Sequence, residues 1–222
     1  MDNDNDHERR VTKRVRISLP NASGVLSAVV VLAALLTLAR RSRQSLKNAR
    51  SGLVVLGVAG VGIAKLLRAY GVERVLGSDL QAEAVVATTG APDCIRLELV
   101  RRGQAILALS HAEPEISPEA ALAVGARCAA DGQTLSSALA FPGRLRGALD
   151  ARISRFTDAM KLAAAAGIAR QANEAALMPA VLDPVLHPRV AQAVGDAAQR
   201  ERTLAGRTPA ALTRQEVHYA AR

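Results

Sequence analysis

The chain has no tryptophan, two tyrosines and two phenylalanines, so aromatic residues make up only 2% of its 222 positions. That excludes a core of stacked rings, and it removes the aromatic platform on which single-stranded nucleic acid is usually held. Half of the residues are nevertheless hydrophobic. The core must therefore be Ala, Val and Leu, which suits closely packed helices over strands buried on both faces. Cysteine is scarce as well. Cys94 and Cys128 lie far apart with no histidine at ligand spacing, so no metal site follows from them; two reduced, partly buried thiols are the simplest reading, with a disulfide left open. Lysine is rare, at four of the 29 basic residues. The net charge of +9 rests on arginines spread along the chain and denser at 9–16 and 40–50. No nucleic-acid-binding module accompanies them, so the arginines read as a solvated basic surface with no nucleic-acid partner.

One long apolar run is present. Residues 25–39, "VLSAVVVLAALLTLA", are preceded by arginines and followed by "RRSR". Fifteen residues are short for a membrane span, which needs about 20. A basic lead and a short apolar stretch also mimic an export signal, although this lead is long and begins with the acidic "MDNDNDHE". A buried helix capped at Asn21 or Ser23 accounts for the run equally well.

The rest of the chain alternates between two periods. Short apolar runs at 53–56, 74–79, 84–89, 104–110 and 126–131 read as strands. Between them, Ile63, Leu66, Leu67 and Tyr70 mark one face of a helix that Gly71 would close. "PDCIRLELVRR" reads as a short helix. In "SPEAALAVG", Ser117 is a cap and Pro118 a first helical residue. After "FPG" at 141–143 a helical pattern runs from about 144 to 175, and a last helix follows "DPVLHP". Such alternation specifies an α/β fold: a Rossmann-like, mostly parallel sheet with helices on both faces and a helical C-terminal end.

The stretch "VVLGVAGVGIAKLLRAYGVERVLGSD" (54–79) joins strand, glycine turn, helix, strand and acid in the order of a dinucleotide-binding unit. Gly57, Ala59 and Gly62 occupy the three positions of G-x-G-x-x-G, with Gly60 between them. Gly57 would allow the tight turn, and Gly62 close packing of helix on strand; the methyl of Ala59 intrudes where a pyrophosphate approaches. The phosphates would rest on free N–H groups at the helix N-terminus. Asp79, 22 residues beyond Gly57, stands where a carboxylate accepts hydrogen bonds from the adenosine ribose. The lack of an arginine just after it favours NAD over NADP. A glycine turn that binds nothing remains the alternative.

Longer stretches carry a family resemblance. "LAFPGRLRGALDARISRFTDAMKLAAAAGIA" (139–169), "PEISPEAALAVGA" (114–126), "DPVLHPRVAQAVGDAA" (183–198) and "AVVVLAALLTLAR" (28–40) closely resemble the C-terminal, NAD(P)-binding part of malic enzymes. The resemblance covers about residues 19–200. It leaves 1–18 as a charged, disordered tail and 201–222 as a C-terminal tail. It implies a soluble core helix at 25–39 rather than a membrane segment, hence a cytoplasmic protein. It also implies oxidative decarboxylation of malate with NAD or NADP and Mg²⁺ or Mn²⁺. Thr88, Thr89 and Gly90 would line the nicotinamide side.

The same resemblance identifies departures. In malic enzymes a preceding domain supplies a tyrosine, a lysine and two acidic metal ligands, and the matching region would lie before residue 19. A third metal ligand matches "NASG" (21–24), which has no carboxylate. The metal thus requires a partner chain's ligands. An asparagine that contacts cofactor or substrate is matched by His111, and an asparagine pair by Ser136 and Ser137; His111 and Ser137 are candidates for the substrate side. Glu115 matches a structural glutamate. The chain also lacks about one strand–helix connection between Asp79 and "AVVATT", because five residues are too few for a crossover that normally needs a dozen. The expectation is a dinucleotide-binding domain, crippled toward malate by itself. Alternatives are a non-catalytic remnant or interaction subunit that binds a full-length paralogue or a split N-terminal half, a homodimer being one possible assembly, and a protein tethered to a membrane through 25–39.

Overall fold

A computed structural model describes residues 22–55, 58–111, 113–153 and 155–207. Five parallel strands form one sheet: β1 (Arg50–Val55), β2 (Arg74–Gly77), β3 (Ala84–Thr88), β4 (Ala105–Ala108) and β5 (Cys128–Asp131), in the order β2-β1-β3-β4-β5. Among the described residues six α-helices accompany them: α1 (Ala22–Arg41), α2 (Val58–Tyr70), α3 (Pro118–Ala123), α4 (Phe141–Asp150), α5 (Asp158–Gln171) and α6 (Leu186–Arg207). The doubly wound α/β fold read from the sequence is the fold observed.

The two faces of the sheet are covered differently. Leu53, Val86 and Leu107 point to one side, where they pack with α1, α2, α5 and α6 in the larger core. Their neighbours Val85, Ile106 and Ala108 point to the other, against Leu80, Ile95, Ile116 and Ala121. The second face thus carries only the six-residue α3 and loops. In "PDCIRLELVRR" the expected helix shrinks to a 3-10 turn at Leu97–Leu99.

Helix α1 is the hub of the first face. It is long and apolar enough to cross a membrane by length and composition, yet Val29 to Ala34 are fully buried inside the protein. A helix that is apolar on all sides needs partners on all sides, and α2, α5 and the sheet supply them. At its end Arg40 donates to the Ala172 carbonyl (2.8 Å) and Arg41 to those of Asn173 and Ala176 (2.7 and 2.6 Å). Charged groups there close the C-terminus of α5 and complement the dipole of α1.

The connection from β2 to β3 departs from expectation. The usual doubly wound order places a further strand outside β2; here β2 is the edge. Six residues, 78–83, carry the chain from Gly77 past β1 to Ala84, which lies on the far side of β1. A short link suffices because β2 stops level with Leu53, while β3 starts level with Ser51. The chain retreats two residues and crosses two strand spacings, about 12 Å in all, well within the reach of six residues. The link passes directly over Gly52: a Cβ there would stand 1.9 Å from the Asp79 carbonyl oxygen and 2.9 Å from its carbon. It crosses on the face opposite α2 and in the opposite direction, so both crossovers keep the same hand.

Two further expectations are adjusted. The helical stretch expected from 144 to 175 is two helices, parted where Arg152 adopts a left-handed φ of 50°. The C-terminal boundary at 200 falls inside α6, which continues to Arg207. The tail assigned to 1–18 lies outside the described residues, as do 208–222.

Candidate functional site

Parallel strands deliver their following loops to one edge, and ligands of open α/β folds bind there. At this edge stand the first turn of α2 with Ala59, Gly60 and Gly62, then Thr88, Thr89 and Gly90 after β3, His111 after β4 and Ser137 after β5. The topology brings these residues together. Gly57 lies outside the described residues.

Each candidate has a definite setting. Val58 and Val61, on the first turn of α2, are 62% and 53% exposed, so the N-terminus of that helix is open. Gly60 is buried and Ala59 half-buried. Gly62 serves a different contact from the one expected: a Cβ on it would lie 3.0 Å from the Gly24 carbonyl oxygen. It brings helix against helix, α2 on α1, rather than helix against strand. Thr88 ends β3 with a buried hydroxyl that has no hydrogen-bond partner. Gly90 has a left-handed φ of 71° and open space around it. His111 is exposed. Ser137 is half-buried and begins a 3-10 turn that Ser136 caps through the Ala138 N–H.

Glu115 organises this edge. Its side chain is fully buried. Oε1 accepts from the Thr89 N–H (2.6 Å), the Thr89 hydroxyl (3.2 Å) and the Ser110 hydroxyl (2.6 Å); Oε2 accepts from the Ser110 N–H (3.2 Å). The Gly90 N–H donates in turn to the Ser110 Oγ (2.9 Å). Burial alone would raise the carboxyl's pKa, but the Ser110 and Thr89 bonds outweigh it and hold the group below the ordinary value of 4.5. One carboxylate therefore locks the loops after β3 and β4. The structural role that the resemblance implies for Glu115 is the one its geometry shows. Ser110 shares that role, and "ALSHAEPE" offers no local signal for it.

Asp79 differs most from its expected role. It is not the end of β2 but the second residue of the link over Gly52. Its Oδ2 takes a 2.9 Å ion pair from Arg50, the first residue of β1, and its Oδ1 accepts from the Gln81 N–H at 2.8 Å. The Arg50 hydrogen bond, then that from Gln81, lowers its pKa. Both oxygens are engaged within the protein. Omission of the outer strand is the cause, since the chain turns back at once instead of continuing outward.

The fold and this edge define a Rossmann-like α/β domain. Its relatives then place it beside one family, the malic enzymes. The chain is 39% identical to NAD-dependent malic enzyme 1 of Bacillus subtilis (strain 168), over 86% of its own length and 49% of that protein's. It is 30% identical to the NAD-dependent malic enzyme of Geobacillus stearothermophilus, over 87% and 50%. The malic enzyme structure from Pyrococcus horikoshii Ot3 superposes with a TM-score of 0.72 at 26% identity, over 80% of this chain and 54% of that one. The NAD-dependent malic enzyme structure from Thermotoga maritima gives 0.71 at 25%, over 77% and 58%. The chain thus spans about half the length of the malic enzymes it matches, consistent with their C-terminal NAD-binding domain. No protein-family model matches it. The first alignment covers 215 positions but only 86% of this chain, and 86% of 222 is about 191; the relative therefore carries about 24 residues in this region that the chain lacks. That is close to one strand–helix unit.

The groups these enzymes would need fit unequally. The open N-terminus of α2 suits a pyrophosphate, and the Thr88 hydroxyl at the adjoining edge is buried without a partner. The adenosine end finds no free carboxylate at Asp79. Among the described residues no three His, Cys, Asp or Glu side chains converge as a metal site, so these residues do not by themselves fit Mg²⁺ or Mn²⁺. Cys94 and Cys128 are both free thiols.

Proposed function

We propose that the chain is a malic-enzyme-type NAD-binding domain, which grips the cofactor by its pyrophosphate and nicotinamide ends and only loosely by its adenosine. The observation that carries this reading is the joint presence, on one sheet edge, of the open α2 N-terminus and the Glu115-locked Thr89–Gly90 loop, in a chain 39% identical to an enzyme named as NAD-dependent. Malate oxidation is the function by descent. It would require a partner half carrying the metal ligands and proton-transfer groups, and the chain's span of about half its relatives supports that pairing.

Calorimetric titration of the purified chain with NAD and NADP tests the reading. Saturable NAD binding in the micromolar to millimolar range is expected. Because Arg50 and Gln81 already occupy Asp79, Asp79→Ala should change NAD affinity by less than about threefold, where loss of a ribose contact to a charged group would cost at least about tenfold. Absence of heat at millimolar cofactor would overturn the proposal. So would malate-dependent NADH formation by the pure chain alone, which needs no partner half.

A further inference from the structure

At the opposite edge of the sheet, where the strands begin, a cavity of about 260 Å³ opens between the segments that lead into β3, β4 and β5. Its charged lining is Arg101, Arg102 and Arg127 against a single acid, Glu83. We infer that this cavity is a binding site for a small multivalent oxyanion, a phosphate or diphosphate group, separate from the dinucleotide edge.

Three observations carry the inference. First, the walls are held in place by hydrogen bonds rather than left to loop motion. Gln104, 3% exposed, donates to the carbonyls of Leu80 (2.8 Å) and Ala82 (2.6 Å) and accepts from the Arg101 N–H (3.1 Å). Gly103 donates to the Gly125 carbonyl (2.8 Å) and Arg127 to that of Gln104 (2.9 Å). Second, the three arginines are exposed, and two of them are left uncompensated. Arg101 is anchored on the Gln81 carbonyl at 2.7 Å. The Arg102 stem lies over Gly125, which has a φ of 104° and on which a Cβ would stand only 3.2 Å from the Arg102 Cγ. Among the described residues the ion pairs are Arg50–Asp79, Arg146–Asp150 and Lys161–Asp158, so neither Arg102 nor Arg127 has an acidic partner there. Three guanidiniums around one concavity repel one another and are relieved by an anion whose oxygens they can fork onto. Third, the size is selective. The cavity is smaller than the roughly 300–1,000 Å³ that holds drug-sized ligands, and it lies about 15 Å from the other edge by strand rise.

The full chain is titrated with sodium diphosphate and, separately, with orthophosphate at fixed ionic strength. Saturable one-to-one binding of diphosphate is expected. It should weaken at least about tenfold in the Arg102→Gln/Arg127→Gln variant, whose thermal midpoint stays within a few degrees of the parent, and tighten in Glu83→Gln. NAD affinity should be unchanged in the arginine variant, which separates this site from the proposed function. No binding at millimolar diphosphate would overturn the inference. So would binding that survives the arginine substitutions and is displaced by NAD, because the anion would then occupy the α2 N-terminus. Tighter retention of a single-stranded RNA oligonucleotide than of diphosphate, lost in the same variant, would also overturn it in favour of a nucleic-acid surface.

Discussion

Two buried charges in this protein behave in opposite ways, and their hydrogen bonds explain the difference. Glu115 is satisfied by four bonds, whereas Arg144 has no ion-pair partner among the described residues. Arg144 is 2% exposed, its Nη1 is buried without a hydrogen bond, and its guanidinium lies over the Phe156 face, 4.8 Å from the ring centre. Burial lowers its pKa. A lone buried cation generally costs more than an apolar side chain of its volume. Arg144→Met should therefore raise unfolding free energy by about 1–3 kcal/mol in urea melts; a loss of stability would show that the arginine holds an unrecognised anion. Glu115→Ala should instead cost about 2–4 kcal/mol, since it orphans the buried Thr89 and Ser110 donors. Linkage gives this carboxylate a sign. Its folded pKa is depressed, so its contribution is present above pH 4.5 and is lost as pH falls through the folded value. The wild-type stability curve should drop below pH 4.5, and the drop should shrink in Glu115→Ala.

At the scale of elements, Gly52 decides the topology. It permits six residues to cross β1, and so allows the sheet to exist without an outer strand. Gly52→Ala places a Cβ 1.9 Å from a backbone oxygen, and backbone cannot yield as a flexible side chain does. We expect a loss above about 3 kcal/mol, read as a fall in denaturant midpoint. A variant of near wild-type stability would mean that the link lies elsewhere. Most elements are legible in the sequence: the apolar run at 25–39, the strands at 53–56 and 84–89, the Ser117 cap and the Gly71 terminator all follow local rules. The crossing is not. The rule that a parallel crossover needs a dozen residues presumes a helix packed on the sheet, whereas this link returns over one strand with none.

For the whole molecule, the two sheet edges carry different chemistry. The C-terminal edge gathers the first turn of α2, the Glu115-locked loops, His111 and Ser137; the N-terminal edge gathers arginines. Helix α1, apolar enough to suggest a membrane, is instead the hub of one packed layer, because α2 and α5 reach it through the Gly24–Gly62 contact and alanine-rich faces.

By itself the sequence determined the fold class, the malic-enzyme resemblance and most of the groups that meet at the C-terminal sheet edge. Those depend on local periodicity and on residues whose strand ends are specified by chain order. Tertiary structure alone decided what Asp79 does. A carboxylate's role depends on which partners lie within about 3 Å, and here Arg50, 29 positions earlier, reaches it first because the chain folds back over Gly52.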